Sequence, residues 1–494
     1  MSRKIFFHAA LLLTAAAFVF FCSTSTSPHY NSLGDDSAIF QAVGKIWAEG
    51  RLPYVDAFEN KGPLIFLIDA LGYAISPRIG IMALQIPAMF VAFLMAWRSL
   101  EIFLSGKAKF AAAAFMLIHF ALYSLDGNRT EEWSLPFLLA ATYFFLRGLK
   151  ENFSARFGLV CGVGFGACLM LRAINALPIC CEIFLAAIFL LRDGEIKLLR
   201  KIFLNFVFGA AVMILPFVVY FAAHGALYEM FYGTILLNVA YTASRENFLL
   251  THLNEYTAYI VVNFMPLYAM IFFGAVSMIK NFSRVNLSGI FCAATMLALM
   301  FKLSPYFGYC ALITPLLPLL FVVLKNLPKG VIVIALIYPL LLTNVLAGKL
   351  IAANSNFVSE FNRHIVDELR RLEKNIPPDE KNSVMIWGES LCASHWVLVT
   401  GILPRCRFFG NVKTFAAVNP NVKREWLDSA EKISPRWIIY SAYMGEFTGK
   451  FADDWTKNFR QNRDADVEKI LAEHYHLVDE AEIYQNAFRL YRRN

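Results

Sequence analysis

Charge is what this sequence lacks. Only 17% of its 494 residues are Asp, Glu, Lys or Arg, 58% are hydrophobic, and mean hydropathy is +0.52; soluble domains carry roughly 25% charge. The deficit is uneven. Lys349–Asn494 holds 21 Lys+Arg and 20 Asp+Glu, half of all the charged residues. Residues 1–348 are correspondingly starved of charge and full of Phe, Leu, Ile and Ala runs, which excludes a wholly soluble protein. CxxC pairs and Cys/His metal spacings are missing too, so the nine cysteines build no common metal framework. Most (Cys161, Cys168, Cys180, Cys292, Cys310) lie inside apolar runs, where Cys is a small buried hydrophobe. Cys392 and Cys406 fall in the polar tail and can pair if that tail is extracytoplasmic. The net charge of +8 does not point to nucleic acid, because the basic residues outside the tail sit in short clusters between apolar runs.

What is present is a series of apolar segments of membrane-spanning length. The first, Ile5–Cys22, follows Arg3 and Lys4 and has no clean small-x-small cleavage site, so it reads as a retained helix with a cytoplasmic N-terminus. Further spans fall near 80–104, 109–125, 132–148, 156–172, 175–191, 203–223, 256–279, 286–302, 306–324 and 330–348. The stretch 62–76 is too short for a span and contains Asp69, so it reads as an interfacial helix. With that choice, Lys107/Lys109, Arg147/Lys150/Arg156, Arg192/Lys197/Arg200/Lys201, Lys280/Arg284 and Lys325/Lys329 all fall in cytoplasmic loops. The expected architecture is a polytopic α-helical membrane protein of about eleven spans (residues 1–348). Interfacial helices occupy its first outer loop, and a small extracytoplasmic α/β domain follows (349–494). In the tail, 356–374 reads as an amphipathic helix, and VMIWG (384–388) and WIIYS (437–441) read as buried strands. The tail contains neither a G-x-G-x-x-G turn nor a nucleophile elbow, so a lid or recognition role suits it better than a second catalytic centre.

This topology puts the unusual polar residues on one face. The first outer loop, 23–79, contains Asp35 and Asp36 at the start of an amphipathic stretch with apolar Ile39, Phe40, Val43, Ile46 and Trp47. Two adjacent aspartates also suit simple helix capping. Asp56, Glu59 and Lys61 follow in the same loop. Later outer turns add Asp126, Asn128, Arg129, Glu131 and Glu132, then Arg172 and Asn175, then Asn238, Tyr241, Arg245 and Glu246, then Lys302 and Tyr306. Any one of these can be a snorkelling or capping residue, but charge at membrane depth is costly and usually functional or paired. Carboxylates gathered with Arg and Lys suit an anionic lipid-phosphate donor and an acceptor hydroxyl that needs a general base. Asp35, Asp36, Asp56 and Glu59 also form an oxygen set that a divalent cation can use, although no spacing requires one. No other cofactor is implied.

The run DDSAIFQAVGKIWAEGRLPYVDAFENKGPL (35–64) resembles the first outer loop of bacterial glycosyltransferase family 39-like proteins. These belong to the C superfamily, which includes protein O-mannosyltransferases and lipid A aminoarabinose transferases. The resemblance implies that Asp36, with Asp35 beside it, is the catalytic base. Glu59-Asn60-Lys61-Gly62-Pro63-Leu64 matches the family's acidic-Lys-Pro-Pro-Leu motif loosely, with Asn60 inserted and Gly62 in place of Pro. TEEWSLPFLLAATYFFLR (130–147) is similar to the family's Glu-containing segment after the third span, and WG…SPRWIIYS to its soluble end. Many relatives carry a His-Tyr pair before the tenth span, where this chain reads Gly308-Tyr309. The implied activity is inverting transfer of a sugar from a polyprenyl-phosphate lipid to a hydroxyl of a glycan, lipid or protein, on the outer face of a bacterial inner membrane. Lys61, Glu131, Glu132, Arg172, Asn175, Asn238, Tyr241 and Arg245 are the expected substrate-binding residues. An oligosaccharide polymerase or ligase using lipid-linked glycans is the nearest alternative. A transporter or flippase of lipid-linked substrates is the other, disfavoured because the span interiors carry almost no acids.

Overall fold

The computed structural model describes all residues except 1–2, 31, 125, 245–252, 281, 303–306, 326–336, 389–392, 411, 444–463 and 484–485. Helix α1 (Arg3–Cys22) is followed by two short helices, α2 (Asp36–Ala48) and α3 (Pro63–Ile75). Each has 13 residues, about 20 Å at 1.5 Å per residue, short of the roughly 30 Å hydrocarbon core. Asp36 opens α2 and Pro63 opens α3, both suited to a first turn. Then come α4 (Gly80–Glu101), α5 (Gly106–Tyr123), α6 (Thr130–Glu151), α7 (Ala155–Leu171), α8 (Leu177–Arg192) and α9 (Ile196–Ala223).

Among the described residues, six helices are long and apolar enough to cross a membrane: Lys4–Cys22, Gly80–Glu101, Ala173–Arg192, Ile196–Ala223, Arg284–Lys302 and Gly308–Lys325. Tyr256–Asn263 and Met265–Ile279, bent by 56°, make a seventh if counted as one span. The expected eleven is not reproduced among the described residues. Helices α5, α6 and α7 occupy three more expected spans but are too short or too polar to qualify, and the expected 330–348 span lies partly outside the described residues. Helices α7 and α9 approach closely because Gly158, Gly162 and Gly166 line the contact: a Cβ on Gly162 would lie 2.1 Å from the Phe206 carbonyl oxygen. Small residues at four-residue spacing let backbones meet where lipid supplies no hydrophobic drive.

After the helix Asn356–Glu373, the tail builds a four-stranded sheet in the order β1-β2-β4-β3. Strands β1 (Val384–Gly388) and β2 (Trp437–Tyr443) are parallel; β4 (Asn486–Arg493) runs antiparallel to β2 and to β3 (Tyr475–Ile483). The expected helix and both expected strands are where the pattern put them, whereas the β3–β4 pair was not anticipated. Cys406 is a buried thiol beside Ser429 Oγ at 3.2 Å; Cys392 lies outside the described residues, and with it their pairing.

Apolar packing divides into two cores. One lies wholly within the helical bundle. The other joins Ile39, Phe40, Val43, Ile46, Ile65 and Phe66 of the first-loop helices to Trp387, Trp396, Trp426 and Ile439 of the tail. Loop and tail are also tied by polar contacts: Lys45 Nζ donates to the Val397 carbonyl (3.1 Å) and the Phe58 amide to the Arg407 carbonyl (2.8 Å). The tail therefore supports the loop that carries Asp35, Asp36, Glu59 and Lys61.

Candidate functional site

The turn between α5 and α6 organises the site. Gly127 and Asn128 both adopt positive φ (72° and 51°), turning the Asn128 side chain into the fold. Fully buried, Asn128 donates to Asp69 Oδ1 (3.0 Å) on α3 and to Ser37 Oγ (3.1 Å) on α2, and accepts from Trp133 Nε1 (2.9 Å) on α6. Three helices are thus fixed through one amide, next to Asp36. Asp69 lies under Gly44, where a Cβ would come within 2.4 Å of the Asp69 Cβ. Burial pushes the Asp69 carboxyl well above the usual carboxylate range, opposed by the Asn128 hydrogen bond.

Glu131 and Glu132 open α6 and point to different neighbours. Glu131 is buried and pairs with Arg172 at 2.8 Å; Arg172 also donates to the Tyr309 hydroxyl and stacks on its ring, 4.6 Å from the centroid. Tyr309 therefore reaches the site although no His precedes it. Glu132 turns toward α4 and accepts from Gln85 Nε2 (3.1 Å), whose neighbours are Ser23 and Thr26. Asn175 is buried below, donating to Ser134 Oγ (2.9 Å).

Lys61 joins the same mouth. The Gly62 amide donates to the Leu171 carbonyl (2.9 Å), which seats the 59–62 segment beside Arg172. Lys61 pairs with buried Glu59 at 3.1 Å, donates to Asn60 Oδ1 (2.7 Å) and lies 5.5 Å from the centre of the Phe40 ring, one helical turn from Asp36. Asn238 braces this segment by donating to the Asn60 carbonyl (2.6 Å). Tyr241 lies one turn further along the helix Leu237–Ser244; Arg245 and Glu246 lie outside the described residues, as does Tyr306.

Asp56 is not brought to this group. Its carboxylate accepts from the Leu52 amide (2.7 Å) and closes the turn around Tyr54, which has φ 69° and donates to the Lys61 carbonyl. With Asp56 on a backbone amide and Glu59 on Lys61, the four-carboxylate cation set suggested by the sequence does not assemble. Among the described residues no three His, Cys, Asp or Glu side chains converge to hold a metal.

Asp35 caps α2 in sequence but its side chain makes no cap hydrogen bond. Its carboxyl is raised above the usual range by its enclosed surroundings and by Asp126, with His395 and Arg129 opposing. His395 donates from Nε2 to the Gly34 carbonyl (2.9 Å), and burial lowers its pKa against the opposing effects of that contact and of Asp35. Arg129 forms an ion pair with Asp126. Sequence reasoning noticed Asp69 and Tyr309 without giving either a place in the site, and missed Gln85 and His395. The Asp-Gly-Asn turn signal at 126–128 could have singled out Asn128. It also missed Glu182, buried in α8 and accepting from Thr142 Oγ1 (2.6 Å), an acid inside an expected span.

The fold of this chain is shared with several solved structures. The structure of ArnT from Cupriavidus metallidurans bound to undecaprenyl phosphate is similar at TM-score 0.57 and 13% identity, covering 99% of this chain and 98% of that one. Its apo state gives TM-score 0.56 with coverage of 99% and 97%, also at 13% identity. An Archaeoglobus fulgidus oligosaccharyltransferase tethered to an acceptor peptide containing the NVT sequon gives 0.53 at 14% identity, covering 88% of this chain and 69% of that one. No protein-family model matches the sequence, and no curated protein matches it.

Proposed function

We propose that this protein is an inverting glycosyltransferase that moves a sugar from a polyprenyl-phosphate lipid to an acceptor hydroxyl at the extracytoplasmic surface of a bacterial inner membrane. The observation that carries the reading is a pair of cations, Arg172 and Lys61, each matched by a buried carboxylate and brought near one another by the Gly62–Leu171 hydrogen bond, with Lys61 beside Phe40, one turn from Asp36. Cations held in this way are pre-oriented, and an incoming phosphate offers them a second anionic partner. Asp36, in the first turn of α2 where the helix N-terminus favours an anion, takes the acceptor proton. The acceptor oxygen then bonds to the anomeric carbon from the face opposite the phosphate. The bond from that carbon to the phosphate oxygen breaks, configuration inverts, and the polyprenyl phosphate leaves with its new charge on Arg172 and Lys61. Asp35, at the N-cap of α2, is the competing base; the resemblance in sequence favours Asp36. The sugar and the acceptor are set by residues outside this proton and phosphate chemistry.

A carrier of lipid-linked substrates would be expected to place paired broken helices at mid-membrane. The described residues hold one bent pair, and Glu182 is held by Thr142. The test is native mass spectrometry of the purified protein. A bound polyprenyl phosphate or its glycosylated form is expected, and its retention should fall in Arg172→Ala and Lys61→Ala. A lipid-free protein that gains no undecaprenyl phosphate on titration would refute the reading.

A further inference from the structure

A cleft of about 760 Å³ opens between the first-loop helices α2 and α3, the 25–33 segment and the tail helix Asn356–Glu373. Its volume is within the roughly 300–1,000 Å³ of small-ligand sites. Four cations line it, Lys45, Arg78, Arg363 and Arg370, against two carboxylates, Glu49 and Asp367. Arg78 and Arg370 are exposed, and among the described residues Arg78 reaches no closer partner than the Pro28 carbonyl at 3.5 Å. That surplus of guanidinium favours phosphate or carboxylate, which Arg binds in a two-pronged geometry.

The remaining lining points to a sugar as the bearer of the anion. Tyr30 and Tyr73 contribute rings with an apolar face and a polar tip, the surface against which a saccharide's C–H face packs. Gln41 donates its amide to Ser37 Oγ (2.9 Å) and the Ser25 carbonyl (3.3 Å), so its Oε1 is the acceptor it has for a hydroxyl. The cleft adjoins the start of α2. Gln41 is one turn from Ser37 and Asp36, and Ser32 and Leu33 also line a pocket of about 120 Å³ with Asp35 and His395.

We infer that this cleft binds an acidic saccharide, the part of the acceptor that carries carboxylate or phosphate groups. Calling that saccharide the acceptor rests on the transferase reading; the binding itself does not. The hydroxyl next to the anion would be presented to Asp36 while Arg78 and Arg370 hold the charge.

The full-length protein in phosphatidylcholine nanodiscs is titrated with trigalacturonate, with its neutral methyl ester and with triglutamate. Trigalacturonate is expected to bind at least tenfold tighter than either control. Arg78→Glu/Arg370→Glu should weaken it at least tenfold, while undecaprenyl phosphate binding by native mass spectrometry stays at the wild-type level. Equal binding of the ester would overturn the charge argument, and equal binding of triglutamate would make the ligand a peptide. Displacement of trigalacturonate in phosphatidylglycerol nanodiscs would make it a lipid headgroup, and unchanged affinity in the double variant would remove the cleft from recognition altogether. If wild-type protein binds trigalacturonate but no undecaprenyl phosphate, the transferase reading fails while the cleft stands.

Discussion

Removing Arg172 separates its two roles. The guanidinium neutralises Glu131, whose side chain is 3% exposed, and keeps 24% of its own surface open toward the mouth. Taking one partner from a buried ion pair costs about 3–5 kcal/mol, because the other charge is left desolvated. The partial exposure of Arg172 puts the expected loss for Arg172→Ala near the lower bound, about 3 kcal/mol. Arg172→Met/Glu131→Leu removes both charges and replaces them with apolar volume, which is often neutral for stability. Donor binding should behave differently. A charge-assisted contact to phosphate is worth about 1.5–3 kcal/mol, roughly ten- to a hundredfold in affinity, and the double variant does not restore it. Thermal unfolding in detergent should therefore show the single variant impaired and the double variant recovered. Undecaprenyl phosphate retention by native mass spectrometry should be reduced in both. A double variant that binds the lipid like wild type would show that Arg172 only neutralises Glu131.

Three further outcomes are expected. Asp36→Asn keeps shape and capping capacity but removes the base, so transfer should fall about a hundredfold or more with lipid binding intact; Asp35→Asn should cost less, and near-wild-type transfer in Asp36→Asn would pass the role to another carboxylate. Asp69→Asn tests the buried acid: because its folded pKa is raised, its stabilising effect is complete below the ordinary carboxylate range and is lost as pH rises through the folded value. The permanently neutral Asn variant should therefore lose less stability than wild type in alkaline unfolding measurements, and parallel pH profiles would count against a protonated Asp69. A reporter active only in the periplasm should work when fused after Lys349 and be silent after Lys201; the opposite pattern would put the acidic loop in the cytoplasm.

Much of this could be read from sequence because it is local. The three-residue-and-four spacing of Ile39, Val43 and Ile46 marks α2, and the short apolar run with Asp69 marks α3 as something other than a span. The spans are less certain, since hydropathy cannot tell a helix wrapped by others from one facing lipid: Gly308–Lys325 is 89% buried and Ile196–Ala223 only 22%. The site was legible as a list of residues on one face and illegible as partnerships. Arg172 meets Tyr309 across 137 positions and Lys45 meets Val397 across 352, and no periodicity encodes such pairs. Asp56 looked like its neighbours in the loop, yet a turn of five residues gave it a backbone amide to hold.

The core shared by the first loop and the tail also sets an order of assembly. The loop that carries Asp36 leaves the ribosome early, whereas its supports at Val397 and Arg407 are about 350 residues behind. At roughly 5–20 residues per second, that is a wait of roughly 20–70 s during which α2 and α3 lack these packing partners. A chain cut before Val397 would carry every proposed reacting group and still lack the contacts of Val397 and Arg407 that brace the loop.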